Sequence, residues 1–306
     1  MRSSESFAHN PNDEDVIPVL PKCKMNKKKD WERVLNPRIP QPPFTVAIVG
    51  PRHTGKTVLA HHLISKRKGM YGTYFNKANT ILYSPTYSCD DTLHDLKLEK
   101  VYGPKHDVLN IVEDIIRQQE VFKKSNDEAP VFIILEDCTQ IRKAWIALEK
   151  LGYTGRHFQI HTLAIAHKMS SIPRGVRTQI QQWILFRPHE QSEWDWVLGM
   201  FSRRSRDAQK IWMNALRRAW NIEYNFVYID FERKGFENIY RSSFNQPLFS
   251  PQEQNVLENG ADEVFYDPEF EMGSKASFQD KAEGNVEEEE NKENRKVKRK
   301  RGNALK

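Results

Sequence analysis

Eight consecutive residues, 50–57, combine glycines with a lysine and a hydroxyl at a spacing that suits the binding of a phosphate chain. They are Gly50, Pro51, Arg52, His53, Thr54, Gly55, Lys56 and Thr57. Glycine permits backbone angles at which successive N–H groups point at one anion, and a helix that begins there adds its positive end. Lys56 would neutralise the β and γ phosphates of ATP, and the Thr57 hydroxyl would bind Mg²⁺. The segment therefore predicts a nucleotide-binding loop of the Walker A kind.

Two acidic residues, Glu136 and Asp137, directly follow the apolar run 131–135. Hydrolysis of a nucleoside triphosphate needs a carboxylate that holds Mg²⁺ at the end of a buried strand, with a group beside it that positions water. By position, Glu136 takes the metal role and Asp137 the water-polarising role. The first acid is the longer of the two, so the assignment between them stays open.

A histidine and three arginines complete the set of candidate catalytic residues. His167 follows the apolar run 162–166, where a polar side chain can sense the γ-phosphate; a purely structural histidine is the alternative. Arg156, Arg174 and Arg177 are candidates for a charge that reaches the nucleotide of a neighbouring subunit. Arg156 comes first, because the composition of residues 154–157 predicts an exposed turn.

The elements that must position these side chains alternate between strands and helices. The predicted strands cover residues 46–49, 80–84, 131–135, 162–166, 183–186 and 224–230. The predicted helices run from about 55 to 68, 107 to 124 and 207 to 220. Short, continuous apolar strands separated by amphipathic helices are typical of a parallel sheet buried on both faces. The predicted fold class is therefore α/β, a P-loop NTPase with a mostly parallel central sheet covered by helices on both faces.

Composition divides the chain into three parts. Residues 1–40 lack periodicity and are predicted to be a flexible basic and proline-containing arm, residues 41–250 the ATPase domain, and residues 251–306 a disordered tail. The tail is first acidic and then basic. The whole chain has a net charge of +6, and residues 1–250 hold 37 basic and 27 acidic side chains. A basic body suits a polyanionic partner such as nucleic acid, although a solvated surface without a partner explains the charge as well.

The chain offers no sign of a membrane or secreted protein. No apolar run reaches the roughly 18–20 residues of a membrane span, and residues 1–5 lack the apolar core of a signal peptide. The three cysteines are Cys23, Cys89 and Cys138, which do not have metal-ligand spacing. We expect a reduced intracellular compartment and no membrane partner.

The order of the motifs resembles that of the poxvirus-type genome-packaging ATPases of large DNA viruses, virophages and Maverick-like elements. This group belongs to the FtsK-HerA superfamily. Beyond the loop and the acidic pair, the resemblance includes residues 155–160 and the Ile172-Pro173-x-x-Val176-Arg177 run before the apolar segment 183–186. It covers about residues 44–245. The chain departs from the pattern in the Glu-Asp order of the acidic pair and in Ala166-His167, where the family usually has glutamine.

The resemblance implies a motor that hydrolyses ATP with Mg²⁺ to move double-stranded DNA into a preformed capsid. It also implies a homo-oligomeric ring in which an arginine of one subunit completes the site of the next. A capsid protein is a possible further partner. The basic run 296–301 is similar to a nuclear import signal, which suggests the host nucleus or a virus assembly site; a solubilising tail is the alternative.

Other functions remain open for this sequence. A nucleotide-gated scaffold that binds DNA or capsid protein with little hydrolysis fits the unusual acidic order and His167. Another nucleic-acid-remodelling P-loop ATPase is possible, although a two-lobed helicase would need a second α/β core after residue 245. A small-molecule kinase would need a lid of arginines, such as Arg203, Arg204 and Arg206.

Overall fold

The computed structural model describes Leu20 and residues 34–259 except Asn76, Asp90, Glu128, Thr139, Arg203 and Arg204. These residues belong to one compact unit, Met1–Gly260. The basic run 296–301 lies outside the described residues, as do most of the predicted arm and most of the predicted tail. Among the described residues, no helix is long and apolar enough to cross a membrane.

One sheet of nine strands forms the centre of the fold, in the order β3-β2-β4-β5-β1-β6-β7-β8-β9. The strands are β1 (Thr45–Val49), β2 (Thr80–Tyr83), β3 (Lys100–Tyr102), β4 (Val131–Glu136), β5 (Ile160–Ala166), β6 (Gln182–Phe186), β7 (Phe226–Asp230), β8 (Tyr240–Ser242) and β9 (Gln246–Pro247). The pairs from β3 to β6 are parallel, and β7, β8 and β9 extend the sheet antiparallel. Unbroken apolar runs form the central strands because both of their faces are buried.

Helices cover the sheet. They are α1 (Lys56–Ile64), α2 (Asp91–His94), α3 (Val108–Ser125), α4 (Arg142–Thr154), α5 (Arg174–Arg177), α6 (Gln191–Phe201), α7 (Arg206–Trp220), α8 (Phe236–Ile239) and α9 (Pro251–Asn259). In α3, Asp107 caps the first turn by accepting hydrogen bonds from the backbone N–H groups of Leu109 and Asn110. Its buried residues recur at three- and four-residue intervals, so one stripe of the helix faces the core.

The sheet separates two hydrophobic cores, and alternate residues of one strand enter different cores. In β1, Ala47 and Val49 belong to one core, and Val46 and Ile48 belong to the other. This alternation follows from the two-residue period of a strand. The mostly parallel sheet with helices on both faces, an α/β fold of the P-loop NTPase kind, is therefore confirmed.

The strand that carries the acidic pair is not the direct neighbour of the strand that precedes the glycine-rich loop. β1 pairs with β5 and β6, and β5 in turn pairs with β4. Strand β5 therefore lies between the strand that leads into the loop and the strand that ends in Glu136. All three strands are parallel, so their carboxyl ends still meet at one edge of the sheet, which we call the carboxyl edge.

Several boundaries differ from those predicted. The first helix ends at Ile64 and not near residue 68, because Ser65 is not helical (φ −59°, ψ 156°). The strand predicted from residue 224 begins at Phe226, since Tyr224 has φ +57°. Folded structure continues past residue 250 as α9, whose Leu257 is buried, and before residue 41, where Ile39 is buried. These two segments correct the predicted extent of the arm and the tail.

Candidate active site

The glycine-rich loop leaves the sheet at the carboxyl end of β1. The Gly50 N–H donates to the carbonyl of Ala166 at 3.1 Å, which ties the start of the loop to the end of β5. On the other side, a Cβ atom at Gly50 would lie 2.6 Å from the Cβ of Phe186. Only glycine allows the loop to pass this close to β6 without a shift of the chain.

The second glycine of the loop turns the chain into α1. Gly55 has φ +93° and is the N-cap residue of that helix, and His53 also has a positive φ of 62°. The Thr54 hydroxyl donates to the carbonyl of Pro51 at 2.9 Å, which closes the turn from within. The first N–H groups of α1 therefore face the inside of the loop, where the helix dipole favours an anion.

Lys56 lies across this loop and is nearly buried, with 6% of its surface exposed. Its ammonium group donates to the carbonyl of Pro51 at 2.6 Å. Burial lowers the pKa of Lys56 to about 8, against the opposing effects of Asp137 and Glu136, while Arg52 adds to the lowering. The structure thus keeps one buried cation inside the loop, held by a single neutral acceptor that an anion can replace.

Glu136, the last residue of β4, is buried and joins the loop to the neighbouring strands. Its Oε1 accepts a hydrogen bond from the Thr57 hydroxyl at 3.1 Å, and its Oε2 accepts one from the Ser84 hydroxyl at 2.9 Å. A carboxylate and a hydroxyl at this distance are oxygen donors of the kind that Mg²⁺ prefers. The donor chemistry of Thr57 and Glu136 therefore fits the metal that accompanies a nucleoside triphosphate.

Asp137 leaves the strand and pairs with His167. It has φ +47°, and its N–H donates to the carbonyl of Ile165 at 3.2 Å. Its Oδ1 lies 2.9 Å from Nε2 of His167, and both side chains are partly exposed. The two acids therefore face different partners: Glu136 faces the loop hydroxyl, whereas Asp137 faces the residue that follows β5.

Cys138 comes next in the chain and is buried beneath the acidic pair. Its thiol donates to the carbonyl of Glu136 at 3.1 Å. Burial raises the pKa of the Cys138 thiol, and the negative charges of Asp137 and Glu136 act in the same direction. The thiol is therefore protonated and packs as a small apolar side chain.

Of the three candidate arginines, Arg156 lies away from the carboxyl edge of its own chain. Arg156 is exposed in the turn between α4 and the start of β5, at the opposite edge of the sheet, which we call the amino edge. Arg174 and Arg177 form the ends of the short α5, and the Arg177 guanidinium stacks on Trp196 at 4.4 Å from the ring centre. Arg203 and Arg204 lie outside the described residues. Arg156 therefore cannot reach the nucleotide loop of its own chain.

A cavity of about 290 Å³ adjoins the loop at the carboxyl ends of β1, β5 and β6. Its lining includes Gly50, Arg52, His167 and Glu193. The Glu193 carboxylate also accepts hydrogen bonds from the Met169 N–H at 2.8 Å and from the Ser170 hydroxyl. Because His167 lines this cavity, the Asp137–His167 pair is accessible to solvent.

Sequence reasoning missed Ser84, which is buried and bonded to Glu136. Ser84 follows β2, and the register of β2 with β4 pairs Tyr83 with Leu135. The next residue along each strand is therefore Ser84 on one and Glu136 on the other. A polar residue directly after a second apolar run was the available signal, but the pairing of the two strands was needed to use it.

No family model matches the chain, and no curated protein matches it. Solved structures that are similar include the genome packaging NTPase B204 of Sulfolobus turreted icosahedral virus 2 in complex with AMPPCP, with a TM-score of 0.44 and 15% identity over 67% of this chain and 98% of that chain. EssC (ATPases 2 and 3) of Geobacillus thermodenitrificans has a TM-score of 0.46 and 13% identity over 71% of this chain and 42% of that chain. The cytoplasmic domain of the Type VII secretion ATPase EccC of Thermomonospora curvata has a TM-score of 0.44 and 14% identity over 72% of this chain and 29% of that chain.

Proposed function

We propose that this chain is an ATPase that moves double-stranded DNA, and that it packages a viral or virus-like genome into a capsid. The observation that carries the ATPase proposal is the contact between Thr57 of the glycine-rich loop and Glu136 at the end of β4. Two segments separated by 79 residues meet there with the groups that a Mg²⁺–triphosphate complex needs. The order of motifs, which resembles that of the poxvirus-type packaging ATPases, supports DNA packaging as the use of that hydrolysis.

The proposed roles follow from the contacts at the carboxyl edge. Lys56 would exchange the carbonyl of Pro51 for the β and γ phosphates, while Thr57 and Glu136 would hold Mg²⁺. The metal would neutralise charge that develops on the phosphates. Asp137 would orient the attacking water, and His167, at hydrogen-bond distance from Asp137, would hold that carboxylate in place and respond to the γ-phosphate.

DNA and neighbouring subunits are the proposed partners. The excess of basic residues in 1–250 supports a polyanionic partner. An exposed Arg156 at the amino edge supports contact with another subunit and not with its own nucleotide, as a ring of identical subunits requires. The capsid-protein contact, and the nuclear address in residues 296–301, rest on the resemblance and on the sequence.

Steady-state ATP hydrolysis by the full chain, with and without double-stranded DNA, tests this function. We expect DNA to raise the rate and the substitutions Lys56→Ala and Glu136→Gln to abolish it. A chain that binds ATP but does not hydrolyse it under any DNA condition would overturn the motor proposal and favour a nucleotide-gated scaffold. A rate that single-stranded nucleic acid raises more than duplex DNA does would favour another remodelling ATPase.

Packaging needs a separate test, because hydrolysis stimulated by DNA is common to many translocases. A duplex carrying a displaceable third strand reports movement of the motor along the DNA. We expect strand displacement that requires ATP and is lost in Glu136→Gln. Stimulation by DNA without displacement would separate DNA binding from translocation and would contradict the motor.

A further inference from the structure

We propose that Tyr224, in the turn between α7 and β7, is the platform on which the base of the bound nucleotide stacks. This inference rests on the proposed nucleotide site and names the part of the chain that binds the base. Lys56, Thr57 and the backbone N–H groups of the loop suit phosphates and do not bind a base. A flat side chain beside the loop would supply the contact that the base needs.

The ring of Tyr224 lies against the loop itself. A Cβ atom built on Gly55 would lie 3.6 Å from Cδ1 of Tyr224 and 3.9 Å from Cε1 of Phe186. Phe186 is buried at the end of β6, whereas 64% of the surface of Tyr224 is exposed. Tyr224 thus combines contact with the last glycine of the phosphate loop and an aromatic surface open to a ligand.

The backbone at Tyr224 is held in a conformation that its side chain disfavours. Its φ of +57° lies in the left-handed region, which is costly for a bulky residue and clusters at ligand sites when it occurs. The neighbouring Asn225 fixes the turn: its Nδ2 donates to the carbonyl of Ala219 at 2.7 Å and to the Ser242 hydroxyl at 3.0 Å. Its Oδ1 accepts a hydrogen bond from the Ser243 hydroxyl. The turn is therefore preorganised, and the strained residue is the one whose ring faces outward beside the loop.

The exposed ring of Tyr224 suits a flat ligand. Ile222, two residues before Tyr224, is also exposed, at 62%. Bases stack on aromatic rings through their faces, which every base presents, so a platform of this kind binds without strong base preference. We therefore expect ATP and GTP to bind with similar affinity, both through Tyr224.

The test compares two ligands that share phosphates and differ in the base: ATP and inorganic tripolyphosphate. Binding to the full chain is measured by calorimetry for the wild type, Tyr224→Gly, Tyr224→Phe, Lys56→Ala and the control Tyr153→Ala. Glycine removes the ring and also relieves the positive φ, so this variant keeps the fold. Tyr153 is another exposed tyrosine, 55% exposed, on α4.

We expect Tyr224→Gly to weaken ATP by about 5- to 150-fold, the range for loss of one aromatic stacking partner. Its affinity for tripolyphosphate should stay unchanged, and Tyr224→Phe and Tyr153→Ala should bind both ligands as the wild type does. Equal weakening of both ligands by Tyr224→Gly, or no weakening of ATP, would overturn the platform. Failure of the nucleotide site itself is distinguishable, because Lys56→Ala would then leave both ligands unaffected.

Discussion

A histidine lies near each end of strand β5, and the two differ in burial and in hydrogen bonding. His161, the second residue of the strand, is fully buried, and its ring lies 5.2 Å from the rings of Phe44 and Phe75. Neither of its ring nitrogens has a hydrogen-bond partner among the described residues. His167, directly after the strand, is partly exposed and pairs with Asp137 at 2.9 Å.

The two edges of the sheet differ in the same way as these two histidines. At the amino edge, an aromatic cluster packs around a polar side chain that is kept neutral, and burial lowers the pKa of His161 to about 3. At the carboxyl edge, charged groups lie close together, and the paired side chains of Asp137 and His167 are partly exposed. In parallel sheets, ligands bind outside the carboxyl ends of the strands. The comparison indicates that the amino edge stabilises the fold and that the carboxyl edge is available for chemistry.

The largest expected contrast lies between two buried carboxylates, one at each edge. Glu136→Gln should lower kcat by at least about a hundredfold, because metal-held charge stabilises the transition state by several kcal/mol, with little change in stability. Asp230 ends β7 at the amino edge, where it accepts hydrogen bonds from the Tyr228 hydroxyl at 2.6 Å and from Arg233 Nε at 3.0 Å. Asp230→Asn should cost about 1.5–3 kcal/mol of unfolding free energy and leave kcat near the wild-type value.

Steady-state kinetics and urea unfolding on the same two variants check this contrast. A loss of kcat in Asp230→Asn that is as large as in Glu136→Gln would break the division between the edges.

The next contrast concerns His167. His167→Ala should lower kcat about 10- to 100-fold with KM little changed, because it removes the group that orients Asp137. His167→Gln keeps a hydrogen-bond donor and should restore most of the rate. Steady-state ATPase kinetics give kcat and KM for both variants. An equal loss of kcat in the two would mean that the imidazole itself, and not a donor to Asp137, is required.

His161 should show the opposite behaviour, an effect on stability and none on turnover. Its pKa is about 3 in the folded chain and ordinarily 6.5, so the unfolded chain binds more protons between these values. Stability is therefore lost as the pH falls from 6.5 towards 3. The advantage of His161→Leu over the wild type should grow by about 2 kcal/mol between pH 7 and pH 5. Urea unfolding at both pH values measures it; a constant difference would mean that His161 has the same pKa in the folded and in the unfolded chain.

The smallest expected effect is the pH dependence of nucleotide affinity. The pKa of Lys56 is about 8 in the free chain, and phosphates would raise it, so binding takes up a proton above pH 8. Affinity for ATP should fall by at most about tenfold per pH unit above pH 8. Calorimetry at pH 7, 8 and 9 follows this fall, and Lys56→Arg, which stays charged, should not show it. The same slope in both proteins would assign the effect to another group.

Local sequence patterns predicted those parts of the fold that depend on neighbours in the chain. The strand predicted at 46–49, which begins one residue earlier at Thr45, the loop at 50–57 and the amphipathic stripe of α3 follow from apolar runs and spacing. The α/β class followed from their alternation and is confirmed. The roles given to Glu136, Asp137, His167 and Arg156 remain predictions, although the structure brings the first three to one edge.

The features that were missed depend on contacts between distant segments. Ser84 gains its partner only through the register of β2 with β4. The alternating pattern around Tyr224 predicted a strand, whereas Asn225 holds that segment in a turn through Ala219 and Ser242. Helix α9 has a polar sequence, and it is fixed by buried Leu257 and by the ion pair between Glu253 and Arg218 at 2.8 Å. None of these contacts leaves a periodic signal in the sequence.

The buried thiol beneath the acidic pair has a practical consequence. A thiolate reacts with alkylating reagents, but the Cys138 thiol is protonated and buried, 3.9 Å from the carbonyl of Tyr83 at the end of β2. The rate at which Cys138 is alkylated, followed by peptide mass spectrometry, therefore reports how often this part of the carboxyl edge opens locally. The rate of local opening around Cys138 can thus be compared with and without ATP on the wild-type protein, without any substitution.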